Sequence, residues 1–136
     1  MPLNIIKSGE AGASGVLFDP GGNNVESFSW SLGKDSNNHA ELLALWQRTK
    51  MLIRNRISYV LIFGDSKLAI KAVKYRSPLQ NSSLARIQLI ILDNLKEILH
   101  VDFFHILREQ NSDANAFSNM ATIGRKGCYV NHIGEE

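Results

Sequence analysis

Apolar positions along the chain switch between a period of two and a period near 3.6, and the switches divide it into elements. An unbroken apolar run, Tyr59-Val60-Leu61-Ile62-Phe63, is rich in β-branched and aromatic types and predicts a strand over 58–63, buried on both faces. Gly64 ends the run. Asp65 and Ser66 then open a helical pattern with Leu68, Ala69 and Ala72, which predicts a helix over 66–75 that Arg76-Ser77-Pro78 breaks. A carboxylate therefore stands where a central strand ends and a helix begins. Open α/β sheets place their ligands at such strand ends. The competing reading is that Asp65 only caps its helix.

Before this strand, residues 1–10 are ambiguous, with Leu3, Ile5 and Ile6 suited to a short edge strand that Lys7-Ser8-Gly9-Glu10 stops. Residues 11–19 predict a strand, Pro20-Gly21-Gly22-Asn23-Asn24 a turn, and the alternation of Val25, Phe28, Trp30 and Leu32 with polar residues a half-buried antiparallel strand. Residues 11–32 thus read as a hairpin. Ser36, Asn37 and Asn38 are each suited to cap a helix from about 39 to 55, whose buried stripe is Leu42, Leu45, Trp46, Thr49, Leu52 and Ile53. Trp46 reads as core. Glu41 lies on the edge of that stripe, where it is either a surface residue favoured by the helix dipole or a carboxylate pressed towards the sheet.

After the central strand and its helix, Leu84, Ile87, Ile90, Ile91, Leu95 and Ile98 predict a second helix over 83–99. Val101 to Ile106 predict a strand, residues 107–112 a polar loop, and Ala114, Phe117 and Ala121 a short helix over 113–122. Residues 123–136, rich in glycine and charge, are expected to be a disordered or loosely attached tail. A hairpin followed by crossovers implies an α/β fold, a mixed β-sheet with helices on its faces. Residues 1–122 form one domain in this reading and 123–136 the C-terminal tail.

Composition narrows the picture without supplying a function. The 136 residues are 44% hydrophobic and 21% charged, as expected of a folded domain, and the net charge of +2 does not announce a nucleic-acid binder. No apolar stretch approaches the ~18 residues of a membrane span, and Met1 to Lys7 lack the pattern of a secretory signal. The single cysteine, Cys128, points to a reducing, intracellular setting in nucleus or cytoplasm, and no His–Asn pattern supports a catalytic role for it. Lys34, Lys50, Arg54, Arg56, Lys67, Lys71, Lys74 and Arg76 are either a phosphate-tracking face or an ordinary solvated surface.

The predicted loop ends gather polar groups from distant segments: Glu41, Asp65, His105, Arg108, Asp113 and Asn115. Carboxylates converging at strand ends are how proteins hold Mg²⁺, and paired Mg²⁺ ions drive in-line phosphodiester hydrolysis. Three ordered segments carry a resemblance. Asn38-His39-Ala40-Glu41-Leu42-Leu43-Ala44-Leu45, Phe63-Gly64-Asp65-Ser66, and the stretch from His105 to Phe117 with Asn111, Asp113 and Asn115 within it, together resemble the ribonuclease H-like domain of plants. This type is associated with retroelement reverse transcriptases and free-standing ribonuclease H proteins. The hairpin strand Gly12 to Asp19 fits the same family, and the resemblance spans about residues 9–122.

The resemblance implies an RNase H-like sheet whose first strand is truncated or irregular here. It implies an RNA–DNA hybrid ribonuclease of type 1, acting as a monomer on RNA–DNA hybrid or RNA, with Mg²⁺ or Mn²⁺ if active. The family's first-helix Glu matches Glu41 and its fourth-strand Asp matches Asp65, both metal ligands. Its mobile His, which helps product leave, matches His105. Its last Asp, four residues after the loop Asn, falls on Asn115. Its first Asp, on strand one, has no counterpart, because Met1 to Lys7 contain no Asp or Glu. The first strand is then supplied by Leu3–Ile6, by nothing, or by an upstream segment. With the first and last carboxylates missing, the expected activity is weak or absent. The alternatives are a non-catalytic nucleic-acid-binding module and a retroelement remnant.

Overall fold

A computed structural model describes residues 3–8, 13–30, 37–113 and 115–130. The five strands are β1 (Asn4–Lys7), β2 (Ala13–Phe18), β3 (Asn24–Trp30), β4 (Tyr59–Gly64) and β5 (His100–His105). The helices are α1 (Asn37–Arg54), α2 (Lys67–Lys74), α3 (Ser82–Leu95), α4 (Arg108–Ser112) and α5 (Ala116–Val130). The strands form one sheet in the order β3-β2-β1-β4-β5. Pairing is antiparallel from β3 through β2 to β1, and parallel from β1 through β4 to β5.

The first strand differs from the edge strand that the sequence suggests. β1 lies in the middle of the sheet, with Ile5 opposite Phe18 of β2 on one side and opposite Leu61 of β4 on the other. Its brevity hid it: four residues are too few for a period to show. Hydrogen bonding on both edges and burial from Ile5 to Lys7 hold it there.

Alternation along the strands builds two cores, because successive side chains leave opposite faces of a sheet. Ile6, Leu17, Val60 and Ile62 face α1, α2 and α3, where they meet Leu42, Leu45, Leu52, Ile70 and Ile91. Ile5, Leu61 and Phe63 face α5 and meet Ala116 and Met120. Trp46 is partly buried against the first core, as expected. Phe117 of α5 packs against Phe18 at 5.4 Å between ring centres, and against the hairpin turn at Gly22, whose φ of +91° suits glycine. Among the described residues no helix is long and apolar enough to cross a membrane.

Two further differences concern the C-terminal part. The stretch expected as a polar loop contains the short helix α4, whose Gln110 side chain accepts the backbone N–H of Leu107. The last helix begins at Ala116 and continues through Val130, beyond the end expected near 122. Ile123 packs partly buried in the second core and Gly124 passes close over Leu61, which anchors this extension. Lys34 and residues 131–136 lie outside the described residues, as does the side chain of Cys128.

Arg54 at the end of α1 pairs with Glu26 of β3, and Asn55 donates to the same carboxylate at 2.9 Å. The Asn55 hydrogen bond and then Arg54 hold the Glu26 carboxyl below its ordinary value of 4.5. A carboxyl lowered on folding stabilises the fold above its unfolded pKa, and that contribution fades as pH falls through the folded pKa. Glu26→Gln should therefore be slightly less stable than the parent near neutrality, and the gap should close in acid unfolding curves taken below pH 4.5. Gly15 offers a sharper test of packing. A methyl group there would lie 2.7 Å from Phe28 Cε1 and 2.8 Å from Arg48 Cγ. Gly15→Ala should lose about 1–3 kcal/mol in denaturant unfolding, whereas Gly21→Ala in the exposed turn should stay within about 0.5 kcal/mol.

Candidate functional site

Because β1, β4 and β5 are parallel, their C-terminal ends lie side by side. Lys7 ends β1 opposite Phe63, and His105 ends β5 opposite Gly64, one residue before Asp65. Asp65 is not the cap of the next helix. That task belongs to Ser66, whose hydroxyl accepts the Ala69 N–H at 3.2 Å. Asp65 is left with its side chain 10% exposed and turned to other partners. Arg108 of α4 approaches Oδ2 with its Nε at 3.8 Å, and the Asn111 side chain donates to the same oxygen at a long 3.5 Å.

α1 brings a second carboxylate and a cation. Glu41 and Arg48 are seven residues apart, two turns along one face of the helix. Burial raises the Glu41 carboxyl above its ordinary value, Arg48 pulls it back, Asp65 raises it further and Arg108 opposes that. Glu41 and Asp65 thus sense one another's charge at the same end of the sheet. Arg48 is 3% exposed, and its Nε donates to the Ser14 carbonyl at 3.2 Å. Its stem crosses Gly15 and its Nη1 lies 3.9 Å from where a Cβ on Gly64 would stand. Burial lowers the Arg48 pKa to about 10, with Glu41 and Asp65 holding it up. It remains a cation at neutral pH.

A second buried cation is tied to the cluster through Asn111. Lys7, 9% exposed, donates from Nζ to the Asn111 carbonyl at 3.0 Å, with the Asn111 Oδ1 at 3.5 Å and the Ser8 carbonyl at 3.4 Å. Asn111 itself is 2% exposed and so ties Lys7 to Asp65. Nearby, the hydroxyls of Ser8 and Ser14 are buried without a hydrogen-bond partner.

Of the four residues singled out from the sequence, Glu41 and Asp65 lie near enough at the strand ends to sense one another's charge. His105 is exposed beside them at the end of β5. Asn115 is exposed just before α5, where its N–H donates to Asp113 Oδ1 at 2.8 Å. The asparagine that meets Asp65 is Asn111. Lys7, Arg48 and Asn111 were missed as members of the site. Arg48 had a visible signal: it stands three residues after Leu45 and four before Leu52, inside the apolar stripe of α1. Among the described residues, no group of three or more His, Cys, Asp or Glu side chains gathers where it could hold a metal ion. The broader basic face is partly engaged within the chain: Lys74 donates to the Phe103 carbonyl at 2.9 Å and Arg54 pairs with Glu26. Lys67, Lys71 and Arg76 are exposed.

Removing one member of a buried charge cluster leaves the others uncompensated. Arg48→Met should lose about 3–5 kcal/mol in denaturant unfolding. Adding Glu41→Gln should then cost less in the Arg48→Met background than in the parent, a coupling that a double-mutant cycle measures. Additive effects would place the two charges in separate environments.

With this geometry in hand, the chain can be set beside known proteins. No curated protein matches the sequence. Solved structures match its fold. The RNase H1 of the halophilic archaeon Halobacterium salinarum NRC-1 superposes with a TM-score of 0.69 at 19% identity, covering 87% of this chain and 98% of that one. LC11-RNase H1, solved in complex with RNA/DNA hybrid, gives 0.67 at 22% identity, covering 82% and 89%. The foamy viral protease-reverse transcriptase, also solved with RNA/DNA hybrid, gives 0.61 at 18% identity, covering 88% of this chain and 18% of that one. The five-stranded mixed sheet is therefore an RNase H-like fold. A family model described as reverse transcriptase-like matches residues 5–121, and the chain belongs to that family.

Proposed function

We propose that this domain binds nucleic acid, RNA–DNA hybrid or RNA, at the C-terminal ends of its parallel strands, and that it hydrolyses phosphodiesters weakly or not at all. Membership of the reverse transcriptase-like family and likeness to proteins solved on RNA/DNA hybrid support the ligand. One observation carries the loss of catalysis: the two carboxylates at the site, Glu41 and Asp65, already face the cations Arg48 and Arg108. In the enzymes of this fold a divalent pair supplies a Lewis acid and an activated water. Glu41 and Asp65 are the residues that would hold Mg²⁺ or Mn²⁺. Their buried guanidinium neighbour competes for the same charge, so the residues present do not fit a metal pair. His105, exposed at the end of β5, and Asn115, exposed before α5, are left to contact the ligand.

Fluorescence anisotropy with a labelled hybrid, measured in chelator and in Mg²⁺, tests the reading, with the same samples run on a gel for cleavage. The expected result is salt-dependent binding whose affinity the chelator does not change, with cleavage absent or at least about a thousandfold slower than an intact two-metal site achieves. Prompt Mg²⁺-dependent cleavage would identify an active ribonuclease. No binding to hybrid, RNA or duplex DNA would leave an interaction-only domain.

A further inference from the structure

We propose that Lys74 and Asp102 form a clip that closes the free edge of the sheet, and that the partner it excludes is a second copy of this chain, pairing β5 against β5. The clip lies along the β5 edge and is independent of the ligand proposed above.

Among the described residues β5 is the last strand of the sheet, paired on one side only, with β4. Backbone groups along a strand point alternately to its two sides. The N–H groups of His100 and Ile106 donate to the Ser58 and Gly64 carbonyls, on the β4 side. Val101, Phe103 and His105 therefore turn their backbone N–H and C=O groups outward. An open row of such groups is a template on which another strand can pair.

Phe103 is the middle one of the three, and both of its backbone groups are already taken. Its N–H donates to Asp102 Oδ1 at 2.8 Å, and its C=O accepts from Lys74 Nζ at 2.9 Å. The two side chains are themselves paired, with Nζ 3.7 Å from Oδ1. Lys74 reaches this point round the edge of the sheet. It leaves α2, whose Ile70 and Val73 pack in the first core, and its Nζ stands 5.3 Å from the ring centre of Phe104, which packs against the second. The stem thus lies across the edge. With 25% of its side chain exposed, Lys74 is held there rather than solvated as a surface lysine is.

The symmetry of the covered groups names the partner. Two antiparallel copies of β5 related by a twofold axis would set Phe103 opposite its own counterpart. A residue facing itself with outward backbone groups exchanges both N–H···O bonds with its mate. Those are the two groups that Asp102 and Lys74 hold. Val101 of one copy would then face His105 of the other, and the ladder would run the length of the strand. Hydrogen bonds to charged groups are the stronger kind, so the clip satisfies the central pair within one chain and leaves strand addition little to gain there.

Amide hydrogen exchange at Phe103, followed by nuclear magnetic resonance on the full chain from about 50 μM to about 1 mM, tests the clip, with sedimentation run on the same samples. In the parent the Phe103 exchange rate should not change with concentration. The double variant Lys74→Ala with Asp102→Ala should sediment as a dimer at the upper end, its Phe103 amide exchanging at least about tenfold more slowly there than at the lower end. Should the double variant fail to fold by circular dichroism, Lys74→Ala alone, which uncovers the carbonyl, should show the same slowing. A folded variant without concentration-dependent protection at Phe103 would overturn the proposal, as would a parent that already shows it. Association of the variant that leaves Phe103 exchange unchanged would place the contact elsewhere and overturn it too.

Discussion

Arg48 is buried between the first helix and the sheet, and much of the surrounding sequence answers to it. A guanidinium out of water needs hydrogen-bond acceptors and opposite charge, or it destabilises the fold. The Ser14 carbonyl provides the first, and Glu41 and Asp65 provide the second. Space is provided by glycine: the Arg48 stem crosses Gly15, and the guanidinium passes Gly64 where β4 ends. The constraint is mutual. Glu41 is itself raised by burial and by Asp65, and Arg48 is the charge that most opposes this. Helix, hairpin and central strand are thus coupled through one electrostatic cluster.

The arrangement turns the usual logic of this fold around. A sheet whose parallel strands end in carboxylates is suited to hold a divalent ion, with negative charge in excess until the ion arrives. Here a buried cation of the chain, Arg48, already faces Glu41 and Asp65. Lys7 and Arg48 are both buried, so neither acts as a mobile surface lysine or arginine would. Arg48 faces Glu41 and Asp65, and Lys7 is tied to Asp65 through Asn111. In the proposed function, binding of a phosphate backbone and hydrolysis of it are separable properties.

Much of the fold was legible in the sequence because its elements are long and periodic. The apolar run 59–63, the stripe of α1 and the hairpin alternation each produced an element within two or three residues of its observed bounds. β1 was not legible as a central strand, since four residues carry no periodicity and centrality comes from partners distant in sequence. Two members of the charge cluster, Glu41 and Asp65, were legible because a motif names the residue type. Its cations were hidden for a physical reason. A lysine or arginine usually marks the solvated surface, and only the positions of Lys7 at the end of an apolar strand and of Arg48 within an apolar stripe mark these two as exceptions. Asn111 stood in view as a loop residue, but its link to Lys7 spans 104 positions and no local pattern encodes it.

The most direct measurement is a crystal structure from crystals grown in Mn²⁺, with an anomalous difference map at the manganese edge. The account predicts Lys7 Nζ against the Asn111 carbonyl, Arg48 packed over Gly15, and no anomalous peak beside Asp65. A manganese ion bound between Glu41 and Asp65, with Lys7 turned away from Asn111, would contradict it.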